Sequence, residues 1–247
     1  MIPKVIHYCW FGRNPLPPLA QKCIESWKKF LPDYEIKEWN EDNFDVYITT
    51  YTEEAYRLKK YAFVSDYARF WILYHYGGLY FDTDVEIIRP LDDIIAKGNF
   101  MGLEKMEGLS GATALAVAPG LGLGCNPGLG LGKQILDFYE KHHYISWKGR
   151  MTGTVVNFTT KLLYQNGIAK GADGFYHCDD ITIYPEEYFD PLNYYTQELT
   201  ITENTRSIHR YAASWTHKKR SVWDKIQGKL VCIFTKLFVG LRRTVKH

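Results

Sequence analysis

The 247-residue sequence predicts an α/β fold with a largely parallel sheet, and three observations point there. Short alternating apolar runs are separated by longer stretches with helical spacing, the order that builds βαβ units. A long helical stretch halts at Gly77-Gly78 and gives way at once to an aromatic-rich strand. The chain is 46% apolar and 16% aromatic, enough to bury a sizeable core.

The elements follow in order. Ile2 to Trp10 alternates as a first strand, and Asn14-Pro15-Leu16-Pro17-Pro18 leads into a helix from about Leu19 to Phe30, broken by Leu31-Pro32-Asp33. Tyr34 to Trp39 alternates as a second strand, followed by a loop over Asn40 to Asp45. Thr52 with Glu53 and Glu54 marks a helix start, and one helix is expected to run from there to Tyr76. The next strand ends on Asp82-Thr83-Asp84. In parallel sheets ligands gather beyond the carboxyl ends of strands, where both Trp10 and this acidic pair fall.

Five cysteines, odd in number and without a Cys-x-x-Cys, argue against a zinc ribbon or a disulfide framework and fit a reducing cytoplasm. The N-terminus lacks the features of a signal peptide, and no apolar run is long enough to span a membrane. The net charge of +2 hides an asymmetry: residues 218–247 carry nine Lys or Arg and one acid, leaving 21 basic and 27 acidic residues upstream. A basic tail on an acidic body is unlike a nucleic-acid binder, whose folded domain carries the basic surface. Trp223, Ile226, Leu230, Ile233, Phe234, Leu237 and Leu241 recur in that tail at intervals of three and four. This is an amphipathic helix suited to an anionic membrane surface or to packing on the body or a second subunit. A domain over 1–217 and a tail over 218–247 are therefore expected.

If Asp82 and Asp84 lie on one strand, they leave the same face about 7 Å apart. Such a pair suits one hard divalent ion and a diphosphate, although an exposed acidic turn has the same sequence. Asp66 and Arg69 share a face within an apolar helix. They pair with one another, or Asp66 accepts sugar hydroxyls while Arg69 grips a carboxylate or phosphate. The glycine-rich run Gly120 to Lys133 has Gln134 where a phosphate loop needs Ser or Thr, so a flexible surface loop over the substrate is expected instead. His209 and Ser214 offer further metal ligands, Trp215 an indole N–H for a phosphate, and Trp10 a face for a nucleobase. Glu104, Asp179 and Asp180 are candidates for touching an acceptor.

Four segments in this order carry a resemblance: Ile2 to Gly12, Lys60 to Arg69, Tyr76 to Asp84, and His209 with Ser214-Trp215. Over roughly residues 1 to 217 the chain resembles the DXD-motif glycosyltransferases of family 32, of capsular polysaccharide and lipopolysaccharide type, with clostridial glucosylating toxins as more distant relatives. The resemblance implies a GT-A fold, Rossmann-like with a mixed, mainly parallel sheet flanked by helices. It also implies a nucleotide-sugar donor, Mn²⁺ or Mg²⁺, and transfer with retention. Trp10 would then stack on the base, Asp66 and Arg69 hold ribose and donor sugar, and Asp82 touch ribose and sugar hydroxyls. Asp84 would bind the metal, joined or approached by His209 and Ser214, and Trp215 would steady the diphosphate. Asp82, Asp84 and Arg69 would form the catalytic group. Thr152-Gly153-Thr154 stands where relatives often have Gly-Pro.

The expected activity is a metal-dependent retaining hexosyltransferase, UDP-hexose favoured over GDP-mannose, acting on a saccharide acceptor, lipid-linked, in surface polysaccharide synthesis. Such an enzyme would sit in the cytoplasm, peripherally on the inner face of the membrane. The alternatives are a metal-dependent phosphoryl or nucleotidyl transferase and a non-catalytic peripheral sugar-binding protein.

Overall fold

Strand β1 (Val5–Cys9) shows how the alternating pattern places the chain: Ile6 and Tyr8 enter one apolar cluster and Cys9 enters the other. The structure is a computed structural model describing residues 1–104, 115–146, 151–194 and 196–212. Ser214, Trp215 and the tail 218–247 lie outside these residues.

Helix α1 (Pro18–Phe30) and strand β2 (Glu35–Trp39) follow, then α2 (Thr50–Arg57), α3 (Tyr61–Tyr76) and the short strands β3 (Gly78–Tyr80) and β4 (Val85–Ile87). Next come α4 (Asp92–Ile95), β5 (Asn99–Gly102), β6 (Leu123–Cys125), α5 (Gly130–Glu140) and α6 (Val155–Gln165). Strands β7 (Ala169–Lys170), β8 (Tyr176–Cys178) and β9 (Ile181–Tyr184), helix α7 (Glu186–Phe189) and β10 (Ser207–His209) complete the described chain.

The main sheet has the order β2-β1-β3-β6-β5-β9-β8-β7, and β10 pairs with β4 in a second, two-stranded sheet. Six strands of the main sheet run one way and two, β6 and β8, run against them. The mixed, mainly parallel α/β architecture expected from the sequence is therefore present. Helices α2, α3, α5 and α6 supply one apolar layer, and α1 and α7 contribute to the other.

Helix α1 buries Ala20, Cys23, Ile24 and Trp27, a stripe with helical spacing. The enclosed Trp27 donates its indole N–H to the Val85 carbonyl at 2.7 Å, and Ser26 Oγ accepts from Ile87 N at 2.9 Å. Helix α1 is thus stapled to β4, the strand that leaves the acidic pair. Truncating Trp27 to Ala would cost about 3–5 kcal/mol by the usual cavity argument.

Three expectations need correction. The helix expected from Thr52 to Tyr76 is two helices, because the chain turns at Leu58-Lys59-Lys60, where Lys59 has φ +55° and Lys60 N donates to Ala55 O. The glycine run is no surface loop along its first part: residues 120–125 are buried, and β6 is a central antiparallel strand between β3 and β5. Gly122 and Gly124 face Phe81, Phe189 and Phe100, and a Cβ on Gly124 would stand 2.2 Å from Phe100 Cε1. Finally, Asp82 and Asp84 do not share a strand face. They occupy the turn between β3 and β4, closed by the Val85 N–H donating to Asp82 O at 3.0 Å.

The turn from α3 into β3 lies where the sequence puts it. Gly77 adopts φ +63°, and a Cβ there would meet Pro127 at 2.7 Å, so glycine ends α3 for steric as well as conformational reasons. His7 on β1 accepts the Trp39 indole N–H at Nδ1 (3.1 Å), which leaves Nε2–H to donate to the Gly77 carbonyl at 3.0 Å. This conspicuous histidine is a structural clamp on the turn.

Candidate active site

A cleft of about 1420 Å³ opens at the carboxyl ends of β1, β3 and β5, where Trp10, Asp82 and Glu104 line it. Asp66, Arg69, Asp84 and His209 line the same cleft, so every candidate that falls on described residues from the catalytic, nucleotide-binding and metal sets converges there. Asp179 and Asp180 do not. They sit in the β8–β9 turn, where Asp180 accepts from Asn99 Nδ2 at 2.6 Å.

Arg69 is 3% exposed, and its Nη2 lies 2.9 Å from Asp66 Oδ1 and 3.1 Å from Asp82 Oδ1. Its Nε donates to Ser65 O at 3.2 Å, and the guanidinium lies 4.9 Å from the centre of the Tyr80 ring. Arg69 thus pairs with Asp66, the first of the two sequence options, and with Asp82 as well. Burial works against its charge, but Asp82, Tyr80 and Asp66 outweigh it and keep the guanidinium firmly protonated. Burial pushes the Asp66 carboxyl up to about 7 against the pull of Arg69, which Asp66 must share with Asp82.

Asp82 is the outward member of this network, its side chain 33% exposed against 11% for Asp66. Tyr80 OH donates to Asp82 Oδ1 at 3.2 Å, and Asp82 N donates to Gly120 O at 2.9 Å. Gly120 explains the start of the glycine run. A Cβ there would lie 1.9 Å from Asp82 Oδ2 and 3.0 Å from Arg69 Nη1, so only glycine leaves room for the carboxylate.

Asp84 has a separate set of partners. Strand β10 brings His209 opposite Val85, and His209 Nε2 lies 3.2 Å from Asp84 Oδ1 while Ala212 N donates to Oδ2 at 2.8 Å. Both side chains are largely enclosed, 17% and 16% exposed. Burial raises the Asp84 carboxyl, but the charge and hydrogen bond of His209 and the Ala212 amide outweigh it and leave the pKa lowered. Burial lowers His209, yet the Asp84 carboxylate, with Asp190 and Asp82 beyond, lifts the imidazole to about 9. Next to it, the Tyr211 ring packs tilted with its centre 4.2 Å from that of His209, and Tyr211 OH donates to Asp190 Oδ2 at 2.7 Å. Glu104 lines the cleft nearby, and burial followed by Asp190 raises its carboxyl despite His209.

Asp84 suits a hard divalent ion as a carboxylate donor. His209, lifted to about 9 and bonded to Asp84 through Nε2, is protonated at neutral pH. It presents at Nδ1 a buried N–H without a hydrogen-bond partner among the described residues, which must lose its proton before it could join the ion. One or two protein donors completed by substrate phosphates is a usual way to hold such an ion. No cluster of three His, Cys, Asp or Glu exists among the described residues, and Ser214 lies outside them. Because Asp82 turns to Arg69 and Asp84 to His209, the pair does not present two carboxylates to a common pair of metals.

Sequence reasoning gave no site role to Gly120, Tyr80 or Tyr211, although Gly120 opens the glycine run and Tyr80 lies in the Tyr76–Asp84 segment, because their partners are set by the fold. It also missed helix α6. Thr154 caps that helix, its side chain accepting from Asn157 N, and Asn157, Thr160 and Lys161 line the cleft.

Residues 17–101 match the family model described as a glycosyltransferase sugar-binding region containing a DXD motif. The chain is 29% identical over 111 residues to inositol phosphoceramide mannosyltransferase 1 of Schizosaccharomyces pombe, an alignment covering 40% of this chain and 33% of that protein. It thus spans about a third of that relative's length. To uncharacterized glycosyltransferase L373 of Acanthamoeba polyphaga mimivirus it is 24% identical over 204 residues, 80% of this chain and 76% of the other. The solved PaToxG glycosyltransferase superposes with a TM-score of 0.46 at 20% identity, over 66% of this chain and 69% of that one. Residues 17–101 therefore form a DXD-type glycosyltransferase region, and two of the four sequence segments, Lys60 to Arg69 and Tyr76 to Asp84, fall within it.

Proposed function

We propose that this chain, through the DXD-type region it carries, moves a hexosyl group from a nucleoside diphosphate sugar to a saccharide acceptor with retention of configuration. The observation that carries the reading is the division of labour in the β3–β4 turn. Asp82 is locked to Arg69 and faces the cleft, while Asp84 is clamped by β10 beside His209.

In this reading Trp10 offers its face to the base, and Asp82 accepts hydroxyl hydrogen bonds from ribose and sugar. Asp66 does the same to the smaller extent its enclosure allows. Arg69 acts first by positioning, with Nε on Ser65 and Nη2 on the two carboxylates. A divalent ion held by Asp84 would neutralise the charge that develops on the departing diphosphate, and His209 would join it only after losing its proton. Glu104, raised in pKa and lining the cleft, is placed to engage an acceptor hydroxyl. Ser214 and Trp215 lie outside the described residues, and their roles toward metal and diphosphate are proposed from the resemblance alone.

The acceptor is proposed to be lipid-linked, and the basic amphipathic tail 218–247 to lay the chain on an anionic membrane face during surface polysaccharide synthesis. No helix among the described residues is long and apolar enough to cross a membrane. The S. pombe relative's name describes a mannosyl group passed to a ceramide-linked acceptor, which supports both a hexose and a lipid.

The test is incubation with Mn²⁺ and a panel of UDP- and GDP-hexoses, with slow release of nucleoside diphosphate as the readout. Loss of that release in Asp84→Ala is expected. Release of pyrophosphate or phosphate instead would install the phosphoryl-transfer alternative. Unchanged sugar binding in Asp84→Ala, with no turnover in either protein, would make this a binding protein.

A further inference from the structure

Two tyrosines line the cleft beside the acidic turn, Tyr194 and Tyr211, and the donor reading uses neither. Tyr211 is held on three sides. Its backbone takes φ +48°, uncommon for so bulky a residue, and its hydroxyl donates to the fully enclosed Asp190 at 2.7 Å. The ring is backed by that of His209, 4.2 Å away between centres, and the next residue, Ala212, donates its N–H to Asp84 Oδ2 at 2.8 Å. With its hydroxyl engaged, Tyr211 offers the cleft its ring.

Tyr194 comes from a separate segment and is 44% exposed. The buried Asn193 before it fixes the turn, accepting from Thr196 N at Oδ1 and donating its amide to Glu198 O, both at 2.9 Å. The two phenol rings lie 5.1 Å apart between centres and 59° out of plane, a corner of aromatic surface on the cleft wall. Aromatic rings left open in a cleft supply contact area to a ligand.

Resting on the transferase reading above, we propose that the Tyr194–Tyr211 corner is the acceptor subsite and that it takes a pyranose ring. A pyranose has an apolar face of ring C–H bonds, which packs on the electron-rich face of an aromatic ring, and a rim of hydroxyls that needs polar neighbours. Glu104 supplies one such neighbour, close enough to Tyr211 to add its charge, after burial and Asp190, to the upward push on that phenol. A lipid chain would also pack on the rings but would leave the Glu104 carboxyl without a partner. A nucleobase has its place at Trp10 in the same reading.

Saturation-transfer NMR of the full chain with Mg²⁺ and UDP or GDP tests this, with the methyl glycosides of glucose, galactose and mannose as probes and octanol as the apolar control. At least one glycoside is expected to bind through its ring C–H protons. Tyr194→Ala should weaken it roughly 3–10-fold, the span of one aromatic contact, and Tyr194→Phe should restore it. Leu199→Ala, on the same segment but away from the cleft, should change nothing. Binding of none of the glycosides, of octanol in their place, or of a glycoside equally well to Tyr194→Ala overturns the subsite. Donor hydrolysis by the wild-type chain, measured alongside, tells the two readings apart: if it persists, the transferase reading stands without this subsite, and if it is absent, both fall.

Discussion

Gly120→Ala isolates the contact that holds the reactive turn. The added Cβ would start 1.9 Å from Asp82 Oδ2, and real contacts do not come under 3.0 Å, so the carboxylate must retreat by about 1 Å or more. The backbones cannot simply part, because Asp82 N is hydrogen-bonded to Gly120 O at 2.9 Å. Nor can the side chain swing freely, since Oδ1 is held by Arg69 and Tyr80. A displacement of about 1 Å in a positioned group costs about 100-fold in turnover, which is about 2.7 kcal/mol of barrier. The fold itself should lose about 1–3 kcal/mol from overpacking. The assay is Mn²⁺-dependent donor hydrolysis beside thermal melting, with Gly122→Ala as comparison. That neighbour's Cβ would meet Phe81 and Phe189 at 3.3–3.4 Å and touch no carboxylate, so it should lower stability while largely sparing turnover. Wild-type turnover in Gly120→Ala, or equal losses in the two variants, would sink the argument.

Arg69→Met removes the shared partner of two carboxylates, and breaking a buried pair in this way costs about 3–5 kcal/mol. A drop in melting temperature of about 6–20 °C is expected, with Asp66→Asn in the same chain recovering part of it; a melt within about 2 °C of wild type would refute the bridge. Burial lowers His7 to about 4 despite its hydrogen bond to Gly77, whereas the unfolded chain binds that proton near 6.5. The unfolded state therefore takes up the proton first, and stability should be lost as pH falls from 6.5 towards 4, by up to about 3 kcal/mol. Urea unfolding at pH 7, 5.5 and 4 measures this, and a His7→Gln variant with an undiminished slope would contradict it. A variant ending at Lys218 should lose sedimentation with anionic vesicles while keeping donor hydrolysis; full sedimentation would show that the tail is not the anchor.

Much of the site could be read from the chain because its signals are local. Helical spacing put Asp66 and Arg69 on one face, Gly77-Gly78 fixed the turn, and Asp82-Thr83-Asp84 with Trp10 named the chemistry. The strand-like Tyr76–Asp84 run misled on one point: the acids look coplanar as strand residues, and only the β3–β4 turn sends them to different partners. The glycine run misled for a related reason. Glycine lowers strand propensity in any local scale, while its use here is steric and set by Asp82, Phe100 and Phe189, which are distant in sequence.

By itself the sequence determined the α/β class, the strand ends that carry the ligand groups and the identity of the acidic pair, because each follows from periodicity or a short motif. The tertiary structure decided what each group does. Arg69 became a bridge, His209 came to rest against Asp84, and Gly120 made room for Asp82. Each of those roles depends on a partner brought close by sheet order, and pairings between strands far apart in the chain leave no local trace in residue order.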